Sequence, residues 1–379
     1  MKIKNLTKDP NWIQRVEALG YGYHTDNNNP YWIDHYYFSI NNQLADKIYD
    51  ATAELWQMCL TAVEYVIENK KYDLFHIPKY IQHHIEKNWE NDAPSIYGRF
   101  DFAYDKETDQ LKMLEFNADT PTSLFECGAV QWFWKEHFFG ANKDQFNSVH
   151  EQLITTWADI KPHLKSDILY FCCVKESLED LTTIEYLRDT AIQAGIQTKL
   201  IYIDDLGWNG RCFVDTEDLE ITSIFKLYPW EWMVNEEFGI NIINDINESQ
   251  WIEPSWKMIL SNKAILPILW QLYPNHPLLL ESHFYSPNGM TNYVKKPLLS
   301  REGANISLIA NSNEIYSTDG DYGQEGFIYQ KLAHLHKEET GFSIIGSWII
   351  GQEPCGITFR ESDYPITTDK SRFIPHIIE

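Results

Sequence analysis

A pair of alternating segments constrains the fold of this chain more than any other feature. Residues 97–105 and 112–117 both alternate between apolar and polar side chains, the period expected of a β-strand that is buried on one side. The polar stretch 105–109 between them is typical of a turn. The sequence therefore predicts two paired strands, the second of which leads directly into the block LEFNADTPTS at residues 114–123.

The LEFNADTPTS block combines groups suited to a cation with groups suited to an anion. Glu115 and Asn117 are two positions apart, so on a strand both side chains leave the same face. Arg99 and Asp101 alternate in the same way on the preceding strand. Carboxylate and carboxamide oxygens suit a hard cation such as Mg²⁺. The turn at 118–123 offers hydroxyl and backbone N–H donors for an anion, and together these groups indicate phosphate chemistry.

The balance of charge narrows the class of partner. The 379 residues include 55 acids and 31 bases, which gives a formal net charge of −24. Such a field repels nucleic acid and anionic membranes and favours a cationic partner such as a polyamine. An acidic surface also serves simply to keep a protein in solution, and for the charge alone this is the commoner explanation. We therefore expect neither nucleic acid nor membrane as a partner.

Cysteine usage and the first residues indicate a cytoplasmic protein. The six cysteines form no CxxC pair and no Cys/His cluster at zinc spacing, so we expect reduced core residues. The first twelve residues contain no apolar signal segment, and no apolar run is long enough to span a bilayer.

The remaining pattern predicts a mixed α and β protein. Residues 1–95 are expected to be mainly helical, with apolar residues at helical spacing over 44–67. A second helix is expected over 124–138. A strand–helix–strand unit is predicted at 168–174, 182–194 and 197–203, with a further strand at 224–228 and a helix opening at 228–232. The last third is expected to contain a helix over 262–270 and strands at 293–296, 327–332, 342–350 and 354–360.

Basic residues in the last third are candidates for phosphate contacts. Lys296 ends a strand beside a loop that contains Arg301, Glu302 and Gly303, and such a lysine can reach a phosphate that the loop covers. Lys263 is a second candidate, at the start of a helix. Neither GxxxxGK[ST] nor GxGxxG occurs. Taken singly, a solvated strand end and a simple helix cap are the favoured explanations; their co-occurrence with the acid/amide set raises the phosphate hypothesis.

Two further residues are weaker candidates. Gln330 lies on an apolar strand, and an apolar slot with one amide suits an adenine ring, although an ordinary core strand is commoner. Arg360 follows another strand, where an arginine can contact a transferring phosphoryl group, although a surface salt bridge is the more frequent arrangement.

At this point the motifs resemble a known family. The segments YGRFD (97–101), LEFNADTPTS (114–123), SNK (261–263), KP with SREG (296–303) and Arg360 are similar to the synthetase domain of glutathionylspermidine and trypanothione synthetases. The similarity extends over nearly the whole chain and is greater still to single-domain bacterial proteins described as candidate acid–amine ligases. The resemblance implies an ATP-grasp fold of the permuted, glutathione-synthetase type, because Asp101, Glu115 and Asn117 precede the two lysines. It also implies an inserted small βαβ subdomain with a parallel sheet.

The resemblance also implies a role for each matched residue. ATP and Mg²⁺ are the expected cofactors, and the enzyme is expected to be an ATP-dependent ligase that joins a carboxylate to an amine. The implied metal ligands are Asp101, Glu115 and Asn117. The implied ATP-binding residues are Lys263, Lys296, Arg301, Glu302, Gly303 and Gln330. Arg99 and Arg360 would stabilise the charge that develops during phosphoryl transfer, and Arg99 would also face the substrate.

The substrate side is matched less closely. Thr120, Thr122 and Ser123 would contact the acid, and Glu176, Glu179, Asp180 and Glu231 are candidates for holding an ammonium group. The acid is expected to be glutathione-like or a peptide, and the amine a polyamine. A small-molecule kinase and a catalytically silent nucleotide-binding protein are the alternatives. Three approximate subdomains are predicted: 1–165 with the metal and acid sites, 166–255 with the βαβ unit, and 256–379 with the lid and nucleotide site.

Overall fold

The strands of the computed structural model are given for the part of the chain that the structure describes, residues 1–26, 29–368 and 370–379. They are β1 (Lys2–Asn5), β2 (Thr25–Asp26), β3 (Asn29–Pro30), β4 (Tyr36–Ile40), β5 (Tyr97–Asp105), β6 (Gln110–Asn117), β7 (Ile168–Cys173), β8 (Gln197–Tyr202), β9 (Gly207–Trp208), β10 (Phe213–Val214), β11 (Ser223–Lys226), β12 (Gln250–Ile252), β13 (Ser282–Phe284), β14 (Tyr293–Pro297), β15 (Ser307–Ala310), β16 (Asn313–Ser317), β17 (Phe327–Lys331), β18 (Phe342–Ile350), β19 (Glu353–Ser362), β20 (Arg372–Ile374) and β21 (His376–Ile378).

Helices are interspersed with these strands. They are α1 (Trp12–Glu17), α2 (Asn42–Glu68), α3 (Lys79–Glu90), α4 (Gln131–Phe139), α5 (Val149–Ile160), α6 (Leu178–Gln193), α7 (Trp230–Met233), α8 (Asn241–Asn244), α9 (Lys257–Ser261) and α10 (Ile265–Leu272). None of the helices in the described ranges has the length and apolar character needed to cross a membrane.

The strand pair expected from the sequence forms one side of a five-stranded antiparallel sheet with the order β20-β19-β18-β5-β6, in which β6 is an edge strand. Phe100 and Phe116 bind the pair together on its buried face, where their rings stack with centroids 3.9 Å apart. The sheet takes strands from the first and the third predicted segments of the chain, 1–165 and 256–379. The division into three subdomains itself stays a prediction.

Helix α2 covers one face of this sheet. Asn41 starts the helix, because its side-chain oxygen accepts a hydrogen bond from the Leu44 N–H at 3.0 Å. Ala51, Leu55, Cys59 and other apolar residues at helical spacing are buried beneath it. The hydroxyls of Thr52 and Ser347 lie 2.7 Å apart where helix and sheet meet. The helix predicted over 44–67 is confirmed.

The prediction that residues 1–95 are mainly helical is wrong at both β1 and β4. These strands pair with each other and, through β21, with the C-terminal end of the chain. Strands β4 and β21 are more than 300 residues apart in sequence, so local periodicity carries no signal of their pairing.

A four-stranded parallel sheet with the order β12-β11-β7-β8 lies between β6 and β13 in the chain. Its β7–α6–β8 unit is the one expected from the sequence, but α6 begins at Leu178, four residues before the predicted start. Ser177 accounts for the earlier start, since its hydroxyl accepts the Asp180 N–H at 3.2 Å and caps the helix.

A second antiparallel sheet with the order β13-β17-β14-β15-β16 completes the architecture. We call β13–β17 with its connecting loops the cover. Two extensive hydrophobic cores fill the rest of the molecule, and the six cysteines are all buried and free. In the outer part of the cover, Ile306 and Leu308 form a small separate cluster with Ile366, which lies in the loop between β19 and β20.

Candidate functional site

A cleft lies between the central sheet and the cover. Most of the residues singled out in the sequence line it: Arg99, Asp101, Glu115, Asn117, Thr120, Thr122, Glu179, Glu231, Lys263, Lys296, Arg301, Glu302, Gly303 and Arg360. Its inner part is apolar, with Leu266, Val294 and Leu332 among the lining side chains. The tertiary structure thus joins segments that are up to 261 residues apart in sequence.

Strands β5 and β6 form the acid/amide wall of the cleft. Asp101 lies directly opposite Glu115, and Arg99 lies directly opposite Asn117, so all four side chains share one face. This confirms the alternation expected from the sequence. A register shift follows between Asp101 and Phe102, after which the two strands go on pairing in a register displaced by one residue.

The Asp101 carboxylate is held by two neighbours. Arg99 donates from Nε to Oδ1 at 2.7 Å and from Nη2 to Oδ2 at 3.0 Å, a bidentate pair. The amide of Asn117 donates to the same Oδ2 at 3.1 Å. Burial raises the pKa of Asp101, and the Arg99 guanidinium only partly offsets this effect. Arg99 also donates to the Thr122 carbonyl at 2.6 Å, which ties the wall to the turn at 118–123.

Two lysines face the acid/amide wall. Lys263 lies 3.3 Å from the Glu115 carboxylate and donates to the Ser300 carbonyl at 2.9 Å. Lys296, at the end of β14, donates to the Leu114 carbonyl at 3.0 Å. Burial lowers the pKa of Lys296 to about 8. Burial would raise the pKa of Glu115, but the charges of Lys263 and Lys296 outweigh it and lower that pKa to about 2.

The sequence predicted Lys263 at a helix start, and the structure places it in the short link between α9 and α10. The link is anchored, because Asn262 is buried and donates to the Phe75 carbonyl at 3.0 Å. The Lys263 N–H itself donates to the Leu298 carbonyl at 3.0 Å. The lysine therefore reaches the cleft from a fixed backbone position.

The loop 298–306 of the cover crosses the mouth of the cleft. Arg301 donates to the Thr120 hydroxyl at 2.8 Å and to the Glu231 carboxylate at 2.7 Å, and its guanidinium stacks over the Trp232 ring. Gly303 has a φ of +67°, and a Cβ there would lie 2.4 Å from the Thr367 carbonyl. Only glycine fits this close approach, which explains the Arg-Glu-Gly order of the loop.

The turn at 118–123 is more buried than its hydroxyl residues predict. Ser123 is 1% exposed, and its hydroxyl lies 3.0 Å from the Tyr31 hydroxyl and 3.2 Å from Nη1 of Arg360. The Arg360 guanidinium packs over the Tyr31 ring and donates to the Ser371 carbonyl. The surface salt bridge considered for Arg360 is therefore wrong: this arginine is buried and braces the turn.

A group of acids lies beside Arg360. Burial and the nearby charge of Glu126 raise the pKa of Glu179 to about 8, although Arg360 opposes the shift. Burial also raises the pKa of Glu126 and of Asp180. Raised pKa values indicate carboxylates whose charge is not fully compensated, which is the environment that a cationic ligand would relieve. Glu176, by contrast, is exposed.

Four of the residues singled out in the sequence do not line the cleft: Ser123, Glu176, Asp180 and Gln330. Gln330 is buried between the sheets, where its amide donates to the Met113 carbonyl at 3.5 Å while its Oε1 has no hydrogen-bond partner. In this structure Gln330 contacts the acid/amide strand from behind.

Sequence reasoning missed several contributors. Tyr23 and Tyr31 line the cleft, and Glu126 borders the acidic group. Asp119, inside the LEFNADTPTS block, forms a fully buried ion pair with Lys226, with 2.6 Å between Oδ1 and Nζ. No local pattern distinguishes these residues from core residues, because their partners lie on remote segments; only the position of Asp119 within the motif was a signal.

The side chains of the acid/amide wall suit a hard cation. Two carboxylates and one carboxamide oxygen meet on adjoining strands, and oxygen ligands of this kind are those that Mg²⁺ uses. Among the described residues no three His, Cys, Asp or Glu side chains come together as a metal-binding group, so the amide of Asn117 is needed to complete the set. The assignment of the three residues as ligands stays a prediction.

Comparison with known proteins gives a consistent result. The family model described as glutathionylspermidine synthase preATP-grasp matches residues 3–379. A protein of Haemophilus influenzae described as a candidate acid–amine ligase is 38% identical, over 99% of this chain and 98% of its own length. Trypanothione synthetase of Crithidia fasciculata is 28% identical over 91% of this chain. The bifunctional glutathionylspermidine synthetase/amidase of Escherichia coli is 28% identical over 98% of this chain.

The coverage of these relatives differs. The chain spans nearly all of the Haemophilus protein but only 56% of the Crithidia enzyme and 62% of the Escherichia enzyme. Among solved structures, a glutathione-synthetase-like effector of Globodera pallida in its apo form has a TM-score of 0.56 at 9% identity, over 90% of this chain and 89% of its own. This likeness supports a mixed α/β fold of the glutathione-synthetase type.

The match over the whole chain, the relative at 38% identity and the cleft that gathers the motif residues all agree. The chain therefore belongs to the glutathionylspermidine synthase family of C–N bond-forming ligases.

Proposed function

We propose that this protein is an ATP- and Mg²⁺-dependent ligase that joins a carboxylic acid to an amine through an acyl phosphate. The acid is a peptide or glutathione-like molecule and the amine is a polyamine. One observation carries the proposal: the cleft combines an acid/amide wall, two facing lysines and a hydroxyl-bearing turn, with uncompensated carboxylates at its far side. The names of the relatives, which include glutathionylspermidine and trypanothione synthetases, support this substrate class.

The proposed reaction has two steps. A carboxylate oxygen of the acid attacks the γ-phosphorus of ATP, the bond to ADP breaks, and an acyl phosphate forms. The amine nitrogen then attacks the acyl carbon, phosphate leaves, and the nitrogen loses a proton as the amide forms. Bound to Asp101, Glu115 and Asn117, Mg²⁺ would supply positive charge that offsets the repulsion between an anionic nucleophile and the triphosphate.

The protein groups hold and orient these reactants. Lys263 and Lys296 are suited to bind phosphate oxygens, because both ammonium groups project toward the acid/amide wall. Arg99 and Arg360 are suited to stabilise charge on the transferring group. The ATP-binding roles of Glu302 and Gly303 rest on their place in the loop over the cleft, and an adenine ring suits the apolar inner part.

Water must be kept away from an acyl phosphate. The cover supplies a means of doing so, because Arg301 already bridges to Thr120 and Glu231 on the opposite side of the cleft. We further propose the permuted order of the ATP-grasp elements and the assignment of the parallel sheet as an inserted subdomain, with β7–α6–β8 carrying Glu179 and Asp180 toward the amine.

A screen of acids against amines tests the function. Release of ADP is measured for each acid alone, each amine alone and each pair, with Mg²⁺-ATP present, and glutathione and spermidine are the first pair. We expect ADP release to require both partners and to yield one amide per ADP. A stable phosphorylated product formed from one substrate would establish a kinase instead, and binding of Mg²⁺-ATP without turnover for any pair would establish a silent nucleotide-binding protein.

A further inference from the structure

A buried ion pair connects the LEFNADTPTS turn to the parallel sheet. Asp119 Oδ1 and Lys226 Nζ are 2.6 Å apart, and both side chains are fully buried. Asp119 belongs to the turn at 118–123, whereas Lys226 ends β11 of the parallel sheet. A pair of this kind adds little net stability compared with apolar packing, because both charges lose their hydration. The ion pair therefore has a role other than stabilising the fold.

Each partner also fixes backbone. The second carboxylate oxygen of Asp119 accepts the N–H of Trp230 at 2.8 Å, the first residue of α7. Lys226 donates in addition to the Tyr228 carbonyl at 2.9 Å. The pair thus holds the turn, the end of β11 and the start of α7 together as one unit.

The residues on either side of this unit are those that hold the cover. Thr120 immediately follows Asp119, and Glu231 immediately follows Trp230. These two side chains are the acceptors for the Arg301 guanidinium, at 2.8 Å and 2.7 Å. The relative position of Thr120 and Glu231 is accordingly set by the ion pair, since each lies one residue from a group that the pair fixes.

We propose that Asp119 and Lys226 are positioning residues that hold Thr120 and Glu231 at the spacing needed to anchor Arg301 and so to close the cover over the acid side of the cleft. The two lysines of the nucleotide side are held independently of this pair, because Lys263 contacts Glu115 directly and Lys296 donates to the Leu114 carbonyl. The kinetic part of the inference rests on the proposed function; the structural part does not.

Three double variants test the pair. Asp119→Ala with Lys226→Met removes both charges together, so no unpaired charge remains buried. Asp119→Asn with Lys226→Gln keeps neutral hydrogen bonds in the same places. The control is Asp215→Ala with Lys199→Met, which removes a 2.6 Å ion pair between β8 of the same parallel sheet and the loop after β10, away from the cleft.

The first measurement is amide hydrogen exchange with Mg²⁺-ADP as the probe ligand. We expect exchange in the peptide that spans 298–306 to be at least tenfold faster in the Ala/Met variant, while the strands at 97–117 change less than twofold. The Asn/Gln variant should return to within twofold of the wild type, and the control should leave 298–306 unchanged. Unaltered exchange at 298–306, or faster exchange spread evenly over the chain, overturns the proposal.

The second measurement is steady-state kinetics with the acid and amine that support turnover. The Ala/Met variant should raise KM for the acid about tenfold and KM for ATP by a clearly smaller factor, because the loop 298–306 loosens while Lys263 and Lys296 keep their positions. An equal change in both constants overturns the kinetic role. If no acid–amine pair supports turnover while the exchange result holds, the proposed function fails and the positioning role stands. If the Ala/Met variant does not fold, Asp119→Asn alone is used: faster exchange confined to 298–306 is expected, and unchanged exchange overturns the proposal.

Discussion

The two walls of the cleft are built in opposite ways. The acid/amide wall consists of β5 and the edge strand β6 of a five-stranded sheet that is backed by α2 and the largest hydrophobic core. The inner part of the cover shares the largest core through Leu298 and Ile328. Its outer part packs on a small cluster with Ile366 and is tied across the cleft by polar contacts, chiefly those of Arg301. Segments with few buried apolar contacts open at lower cost than core strands. The difference indicates a rigid wall that carries the charge chemistry and a cover that opens and closes.

The largest expected effect is at the rigid wall. Replacing Glu115 or Asn117 by alanine should abolish ATP turnover while the fold is kept, because each variant removes an oxygen from the proposed metal set. Turnover is measured at saturating Mg²⁺, with circular dichroism to verify folding, and the matched control is Glu314→Ala on the exposed strand β16. Activity near that of the wild type in either variant would refute the metal assignment and the contrast between the walls.

The second largest effect is expected from a substitution of Arg99. Arg99→Ala is expected to lower kcat by about 1000-fold with a much smaller change in nucleotide affinity, since the guanidinium is proposed to act on charge that develops only in the transition state. Single-turnover kinetics and ADP titration separate the two effects. Arg372→Ala removes an arginine that also pairs with carboxylates but lies outside the cleft, and it should leave both constants unchanged. Equal losses in kcat and affinity at Arg99 would remove its transition-state role.

Glu179 should make the KM for the amine depend on pH. With a pKa of about 8, Glu179 is mostly neutral at pH 7 and mostly ionised at pH 9, so KM for a cationic amine should fall about tenfold over this interval. Glu179→Gln should remove the dependence. Because the folded-state pKa lies above the ordinary value of 4.5, the wild type without ligand should also lose stability as pH rises from about 4.5 to 8, and the variant should lose less.

The outcome that contradicts this prediction is a KM for the amine that follows the same pH profile in wild type and Glu179→Gln. Glu185→Gln, on an exposed position of the same helix, is the matched control. Its profile should equal that of the wild type at every pH.

The smallest effect is expected at the cover. Thr120→Val removes the hydroxyl that accepts from Arg301 but keeps the shape of the side chain, which should cost about 1 kcal/mol, or about fivefold in KM for the acid. Steady-state kinetics measure the change, with Thr61→Val on α2 as the control. A loss as large as that of Glu115→Ala would mean that the cover takes part in the chemistry and would end the division between the walls.

The sequence predicted the acid/amide wall better than it predicted the cover. Period-two alternation is a local signal, so it located β5 and β6 and correctly put Arg99, Asp101, Glu115 and Asn117 on one face. The residues of the cover were found as chemical types beside a strand, but their contacts were not. Arg301 reaches Thr120 and Glu231 across 181 and 70 positions of sequence, and pairing at that distance leaves no periodic trace.

The contacts that the sequence did not reveal also join segments that are distant in the chain. The sequence suggested no separate role for Asp119, which lies between Asn117 and Thr120, because an acid in a turn is ordinarily solvated. Only the approach of Lys226 from the parallel sheet makes Asp119 a buried ion-pair partner. The nucleotide-binding role of Gln330 stays a prediction; the strand pattern did not reveal that its amide donates to the Met113 carbonyl on β6.

By itself, the sequence determined which chemical groups this protein can offer and which strand carries the acid/amide set, because alternation and residue type are local properties. The tertiary structure alone decided that these groups face two lysines, that a loop closes over them and that Asp119 meets Lys226. Those decisions depend on hydrophobic cores that bring distant segments together, and burial then sets which charges are paired and which pKa values move.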